Sequence, residues 1–176
     1  MPVICPAVED QVDKLLGQWA RERPELDCSS LGVVVRVQFL AKLCQRGAER
    51  ALARLGLRLW EYDVLSALRR QGPPYQLPAT VLARASLLTS GAMTTRIDRL
   101  EARGLVLRAA EPSDRRGVNV RLTERGRQLA EQAIEARLTA ADAQIEALSG
   151  TERHAASAAL RKVLLRAAVS DNPPQP

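Results

Sequence analysis

The stretch from Leu77 to Thr123 sets the terms for everything around it. It begins in QLPATVLARAS, which predicts a short helix opened by Pro78, since a first-turn proline gives up an N–H that has no helical partner anyway. A tight break at Leu87 and Leu88 follows. SGAMTTRIDRLEARG then predicts a second helix of about four turns, with Ser90 as its expected N-cap and Gly104 as its stop. LVLRAAEP and GVNVRLT read as two short strands, joined by PSDRRG, a loop with two adjacent arginines.

Helix, turn, helix and a two-stranded hairpin with a basic tip is the layout of a winged helix-turn-helix. The expected fold class is mainly α with a small β-hairpin wing. That layout puts one helix in a DNA major groove and lays a loop on the flanking backbone. On the second helix Met93, Ile97 and Leu100 point inward, so Thr95 and Arg99 lie on the far side with Ser90, Thr94 and Asp98 flanking. Short hydroxyl side chains near a helix N-terminus reach phosphates and base edges without steric cost, and Arg99 adds charge or a guanine contact. At the wing tip Arg115 and Arg116 are placed to enter a minor groove or grip phosphate. Asp114 cannot favour DNA directly, so its expected role is to hold an arginine by a bidentate pair. A solvated helix face and a soluble charged turn are the competing readings of the same residues.

Composition agrees and excludes more than it proves. The 176-residue chain is 46% hydrophobic but only 3% aromatic, which favours an alanine- and leucine-built helical core. A net charge of +6 and a pI near 9.9 suit a polyanionic partner. Three dispersed cysteines (Cys5, Cys28, Cys44) and one histidine (His154) leave no metal-ligand spacing and no histidine-centred triad. No Gly-rich phosphate loop is present, so neither an enzyme nor a cofactor is expected. No apolar run is long enough to span a membrane and MPVICPAVEDQ lacks a signal pattern, which predicts a cytoplasmic protein.

The flanking segments read as helices. Ala7 to Arg23 carries a stripe of Val12, Leu15, Leu16 and Trp19; Leu31 to about Leu55 follows, with Ser29 or Ser30 as cap. Leu59 to Arg70 has an inner stripe of Trp60, Val64, Ala67 and Leu68 and closes at QGPP. Thr123 caps a helix from Glu124 to about Leu148 with a seam of Leu129, Ile134, Leu138, Ala141, Ile145 and Leu148. Ser149 and Glu152 form a capping box for the last helix, which carries Ala156, Leu160, Val163 and Leu164 along one side. A seam this long exceeds what a small domain buries, so the first helices and the last are expected to meet a second copy; packing within one chain is the alternative. The expected division is residues 1–55 as N-terminal interface helices, 56–123 as the DNA-binding domain, 124–169 as C-terminal dimerisation helices and 170–176 as a disordered tail.

The run LTSGAMTTRIDRLEARGLVLRAAEPSDRRGVNVRLTERG resembles the core signature of the MarR family of bacterial transcription regulators. Asp114, Arg116 and VRLTERG meet its wing motif, and helix order matches along nearly the whole chain. The resemblance implies an obligate homodimer, triangular in outline, that joins through its terminal helices and binds a palindromic operator. It also implies a regulator, here expected to be a repressor, whose DNA affinity changes with a small ligand or with oxidation.

Four residues resemble the urate-responsive, PecS-like branch of that family. Arg96 falls about 60° from Met93 on a helical wheel, beside the buried stripe. Asp63 sits at the margin of another apolar face, Trp19 on the first stripe, and Arg108 on the strand side opposite Leu105 and Leu107. Charges half removed from water are costly unless paired or used. The resemblance implies that Trp19 packs near an anionic effector, that an arginine meets its charge, and that Asp63 moves in response. Urate or a similar planar anion is the expected effector; aconitate-type carboxylates serve other members. A plain core tryptophan and a structural ion pair of Asp63 with Arg96 or Arg108 are the competing readings. Control by oxidation of a cysteine and a winged-helix module that binds only proteins complete the alternatives.

Overall fold

The computed structural model describes residues 9–86, 88–111 and 114–171, with side chains described for 9–86, 88–109 and 118–167. The expected break at Leu87, Cys5 and most of the expected tail therefore fall outside the described residues. Among the described residues, seven helices and three strands follow in the order α1 (Gln11–Glu22), α2 (Ser29–Ala53), α3 (Leu59–Arg69), β1 (Gln76–Pro78), α4 (Ala79–Ala85), α5 (Ser90–Ala102), β2 (Val106–Glu111), β3 (Asp114–Leu122), α6 (Glu124–Gln144) and α7 (Gly150–Asp171). The fold is mainly helical with a small antiparallel sheet. Its chain divides into two compact units, Met1–Gly47 and Ala48–Pro176.

In the first unit α1 starts later than its stripe suggested, because Asp10 accepts the N–H groups of Val12 and Asp13 and caps the helix there. Arg36 of α2 reaches back to both Asp10 and Asp13 at 2.8 and 2.6 Å. A Cβ on Gly32 would stand 3.4 Å from Leu16, so this glycine admits α1 closely. Val12 is buried, while Val33, Val34, Val37, Phe39, Leu40 and Leu43 of α2 remain exposed.

The second unit holds the core. Leu65 and Leu68 of α3, Leu82 of α4, Met93, Ile97 and Leu100 of α5, Leu105, Val106 and Val120 bury one against another with Ala130 and Ala133 of α6. Several local expectations meet their chemistry here. Gly104 takes φ +66, the left-handed conformation that ends α5, and Thr123 Oγ1 accepts the Gly126 N–H at 2.9 Å to cap α6. Ser149 and Glu152 form their capping box at the start of α7.

Packing changed other details. QLP is not a helix start but β1, which pairs with β3 in the order β1-β3-β2; Pro78 ends that strand and precedes α4 as its cap. A proline fits this edge position because no ladder hydrogen bond is asked of its nitrogen. The N-cap of α5 is Thr89, whose Oγ1 accepts from the Ala92 N–H, so Ser90 is already helical. Leu105 precedes β2, which puts Val106 on the buried side and Arg108 at the same parity, opposite Val120. Arg108 therefore lies opposite Leu107 on the strand, as expected, but its side is the one that Val106 and Val120 bury.

α6 ends at Gln144, before the expected Leu148, and its buried side is Gly126, Ala130 and Ala133. Small residues let α6 lie close to its neighbours; a Cβ on Gly126 would fall 1.9 Å from the Leu105 carbonyl oxygen. The larger seam residue Leu138 is left 60% exposed. α7 runs to Asp171, into the segment expected to be a tail, and Leu160, Val163, Leu164 and Leu165 are all exposed along it.

Candidate nucleic-acid interface

α5 owes its two-sidedness to helical periodicity. Met93, Ile97 and Leu100 are buried, and the opposite face presents Ser90, Thr94, Thr95, Asp98 and Arg99 to solvent. The hydroxyls of Thr94 and Thr95 donate to the Ser90 and Gly91 carbonyls one turn back, at 2.9 and 3.2 Å. Their oxygens then point outward as acceptors, suited to the exocyclic amines of adenine or cytosine. Arg99 stands exposed beside them. The side chains of Asp114, Arg115 and Arg116 lie outside the described residues; the backbone of β3 runs through all three, so the strand begins inside the segment expected to be loop.

Two arginines brace the helix. Arg103, at its C-terminal end, donates to Glu61 Oε1 at 2.6 Å and to the Gly56 carbonyl at 3.1 Å. Glu61 is only 5% exposed and also accepts the Arg58 N–H at 2.8 Å, so one buried carboxylate ties the approach to α3 to the end of α5. The second brace is Arg108. Its guanidinium donates to both Asp98 and Glu101, and its backbone N–H donates to Glu101 Oε1 at 3.2 Å. The carboxylate beside Arg108 holds the guanidinium more firmly protonated than usual, Asp98 contributing most. Neither brace was visible as a pattern. Glu61 and Arg103 are 42 residues apart, and nothing local in either side chain's surroundings announces the pairing.

The residues expected around an effector divide. Asp63 is exposed on α3, yet crowding around its carboxyl pushes its pKa up, while Arg96, Arg137 and Arg70 pull it the other way. Arg96 is half-buried, with its guanidinium 5.2 Å from the centre of the Trp60 ring, a cation–π arrangement. Trp60, Asp63, Arg96 and Arg137 therefore share one electrostatic neighbourhood on α3, α5 and α6. Sequence reasoning named two of the four and placed Trp60 in the core stripe only. Arg108 lies with Asp98 and Glu101, and Trp19, in the N-terminal unit, is 42% exposed. Cys28 and Cys44 are half-buried. Among the described residues no helix is long and apolar enough to cross a membrane, and no cluster of three or more His, Cys, Asp or Glu forms a metal site.

Comparison with known proteins bears on this geometry. The MarR family model matches residues 55–117, the segment from the loop before α3 into the wing. The transcriptional regulator PecS of Dickeya dadantii is 32% identical over 125 residues, spanning 71% of this chain and 75% of PecS. Among solved structures, AbsC, a MarR family transcriptional regulator from Streptomyces coelicolor, aligns with a TM-score of 0.73 at 22% identity, covering 81% of this chain and 97% of AbsC. Sco3205, a MarR family regulator from the same organism solved in complex with DNA, aligns with a TM-score of 0.72 at 24% identity, covering 84% of this chain and 94% of Sco3205. These two structures show likeness of fold.

Proposed function

This chain belongs to the MarR family of winged helix-turn-helix transcriptional regulators, and on that premise we propose that two copies bind a palindromic operator in the cytoplasm as a repressor, released by a small planar anion such as urate. The observation that carries the DNA half is α5: a helix with one buried apolar face and an opposite face of Ser90, Thr94, Thr95 and Arg99 open to solvent. In this reading residues 56–123 read DNA, with Asp114, Arg115 and Arg116 gripping the flank from the wing. Helices within 1–55 and 124–169 join the copies. The exposed apolar side chains of α2 and α7 support the joining, because stretches of that size are rarely left in water. A two-fold protein then presents two copies of α5 about one DNA turn apart.

For the effector, the support is the neighbourhood of Asp63 and Arg96. A carboxyl with a raised pKa beside a guanidinium stacked on Trp60 is a site whose charge balance an incoming anion would upset. Arg96 offers the positive charge, Trp60 an aromatic face, and Asp63 the repulsion that moves α3 against α5. Trp19 and Arg108 enter this reading through the family resemblance alone.

Selecting ligands for the purified protein from a pool of random duplexes tests the DNA half. A two-fold symmetric site should emerge, and its affinity should fall with salt at a slope of about −0.9 per phosphate neutralised. A chain that enriches nothing, or binds without salt dependence, is not a DNA-binding regulator. Titrating the complex with urate should quench tryptophan fluorescence and release the duplex; silence in both would discard urate while leaving DNA binding intact.

A further inference from the structure

We infer that Arg108 is a positioning residue for DNA binding: from strand β2 it holds Asp98 and Glu101 of α5, locking the wing and the recognition helix into one reading head and screening Asp98 from the phosphates. The inference rests on the reading of α5 and the wing as the DNA-binding surface.

The sheet order makes β2 an edge strand, hydrogen-bonded to β3 alone, so its outer side is steadied only by what it packs on. Val106 anchors its beginning in the core. The next residue on that side is Arg108, paired across the sheet with the buried Val120. Among the described side chains on that side, Arg108 is thus the last tether before the wing. Both of its anchors belong to one helix, three residues apart and therefore on neighbouring positions of a single face. A planar guanidinium spanning two carboxylates fixes direction as well as distance, which a lysine could not do. DNA demands such a fixed relation, because a helix in the major groove and a wing on the flank fit one duplex only at one separation.

Asp98 supplies the second part. Its side chain is 57% exposed against 38% for Glu101, and it belongs to the face that carries Thr94, Thr95 and Arg99. A bare carboxylate there would repel the backbone from well within a Debye length. Arg108 neutralises it. This gives an acid on a DNA-facing helix a reason to exist: it is the hook for the wing.

The test uses the full chain with Arg108→Gln, Arg108→Lys, Asp98→Asn and the double variant Arg108→Gln/Asp98→Asn. Affinity for the duplex selected by the wild type, a hydroxyl-radical footprint and amide hydrogen exchange of the free protein are measured together. Arg108→Gln should weaken binding about tenfold or more, the scale of a lost charged hydrogen bond. It should also lose protection at the flanks while keeping the centre, and exchange should quicken in β2 and β3. Adding Asp98→Asn should recover part of that affinity, although Asp98→Asn alone recovers nothing; a merely structural role for Arg108 has no such reversal. Arg108→Lys should fall between, and serves in its place if the glutamine variant does not fold. Unchanged flanks, unchanged exchange and unchanged affinity in a folded Arg108 variant overturn the inference. So does loss of the urate response with DNA binding intact, which would return Arg108 to the effector. Quickened exchange in a protein whose wild type binds no duplex would instead sink the DNA reading and keep the brace.

Discussion

α3 and α7 are helices of the same unit with opposite fates. Val64 to Leu68 of α3 are buried without a gap, whereas every described side chain of α7 beyond Arg153 is exposed, Leu164 at 69%. Leucine is the common currency of both, so composition does not separate them. What separates them is whether one chain carries the other half of the packing. α3 is surrounded by α5, α6 and the sheet, while the groove along α7 is lined by its own Leu160, Leu164 and Leu165 with Ile145 and Leu148 and ends there. The winged helix buries its own apolar faces, whereas α7 leaves its leucines exposed, which supports the proposed joining of two copies there.

The sharpest way to break that contrast is to truncate a leucine on each helix. Leu68→Ala should cost about 2–5 kcal/mol in urea unfolding, the range for a fully buried leucine. A loss below about 1 kcal/mol would mean the core tolerates a void that its burial denies. Gly126→Ala tests the closeness of α6 from the other direction. With the Leu105 carbonyl oxygen 1.9 Å from the new Cβ, backbone must move, and overpacking of about 1–3 kcal/mol or more is expected by the same measurement. On α7, Leu164→Ser with Leu165→Ser should leave unfolding of isolated chains within roughly 0.5 kcal/mol. The same pair should shift sedimentation from dimer to monomer, and a dimer that survives would move the interface elsewhere.

Two charge predictions refine the picture at smaller scale. Asp63 has a raised pKa because crowding penalises its charged form more than the three arginines help it. The penalty is present above the folded value and absent once the group is protonated in both states. Asp63→Asn should therefore raise the melting temperature slightly at neutral pH and leave it unchanged in acid; a lower melting temperature would make Asp63 a structural partner instead. In the N-terminal unit, the Arg36 guanidinium holds Asp10 down from the ordinary 3.8 to about 2. Its contribution is complete above the ordinary value and fades as pH falls between these two. Amide exchange in α1 should quicken across that window in the wild type, and Asp10→Asn should exchange fast on both sides of it. Equal exchange in the two proteins would remove Asp10 from the account.

Much of the reading head was legible because its signals are local. Met93, Ile97 and Leu100 recur every three or four residues, Gly104 must be able to turn left-handed, and Thr123 and Ser149 find their capping partners within three positions. Helical geometry alone relates residues that near, so no knowledge of the rest of the chain is needed. The exposed face of α5 follows from its buried one by subtraction. The neighbourhood proposed for the effector was half legible: Asp63 and Arg96 stood out as charges beside apolar stripes, but Trp60 and Arg137 join them only through helices that the fold brings together.

What the amino-acid order determined by itself was the series of helices, their caps and the inward face of each. The tertiary structure decided which inward faces find a partner in the same chain, that QLP becomes a strand by pairing with β3, and that the side of β2 carrying Val106 and Arg108 is the one turned to the core. It also decided that Glu61 could be buried, because Arg103 arrives from 42 residues away to meet it. The division has one cause. Periodicity and capping are fixed by backbone geometry over a turn or two, whereas burial and charge pairing depend on which distant surfaces meet, and only the folded chain brings those together.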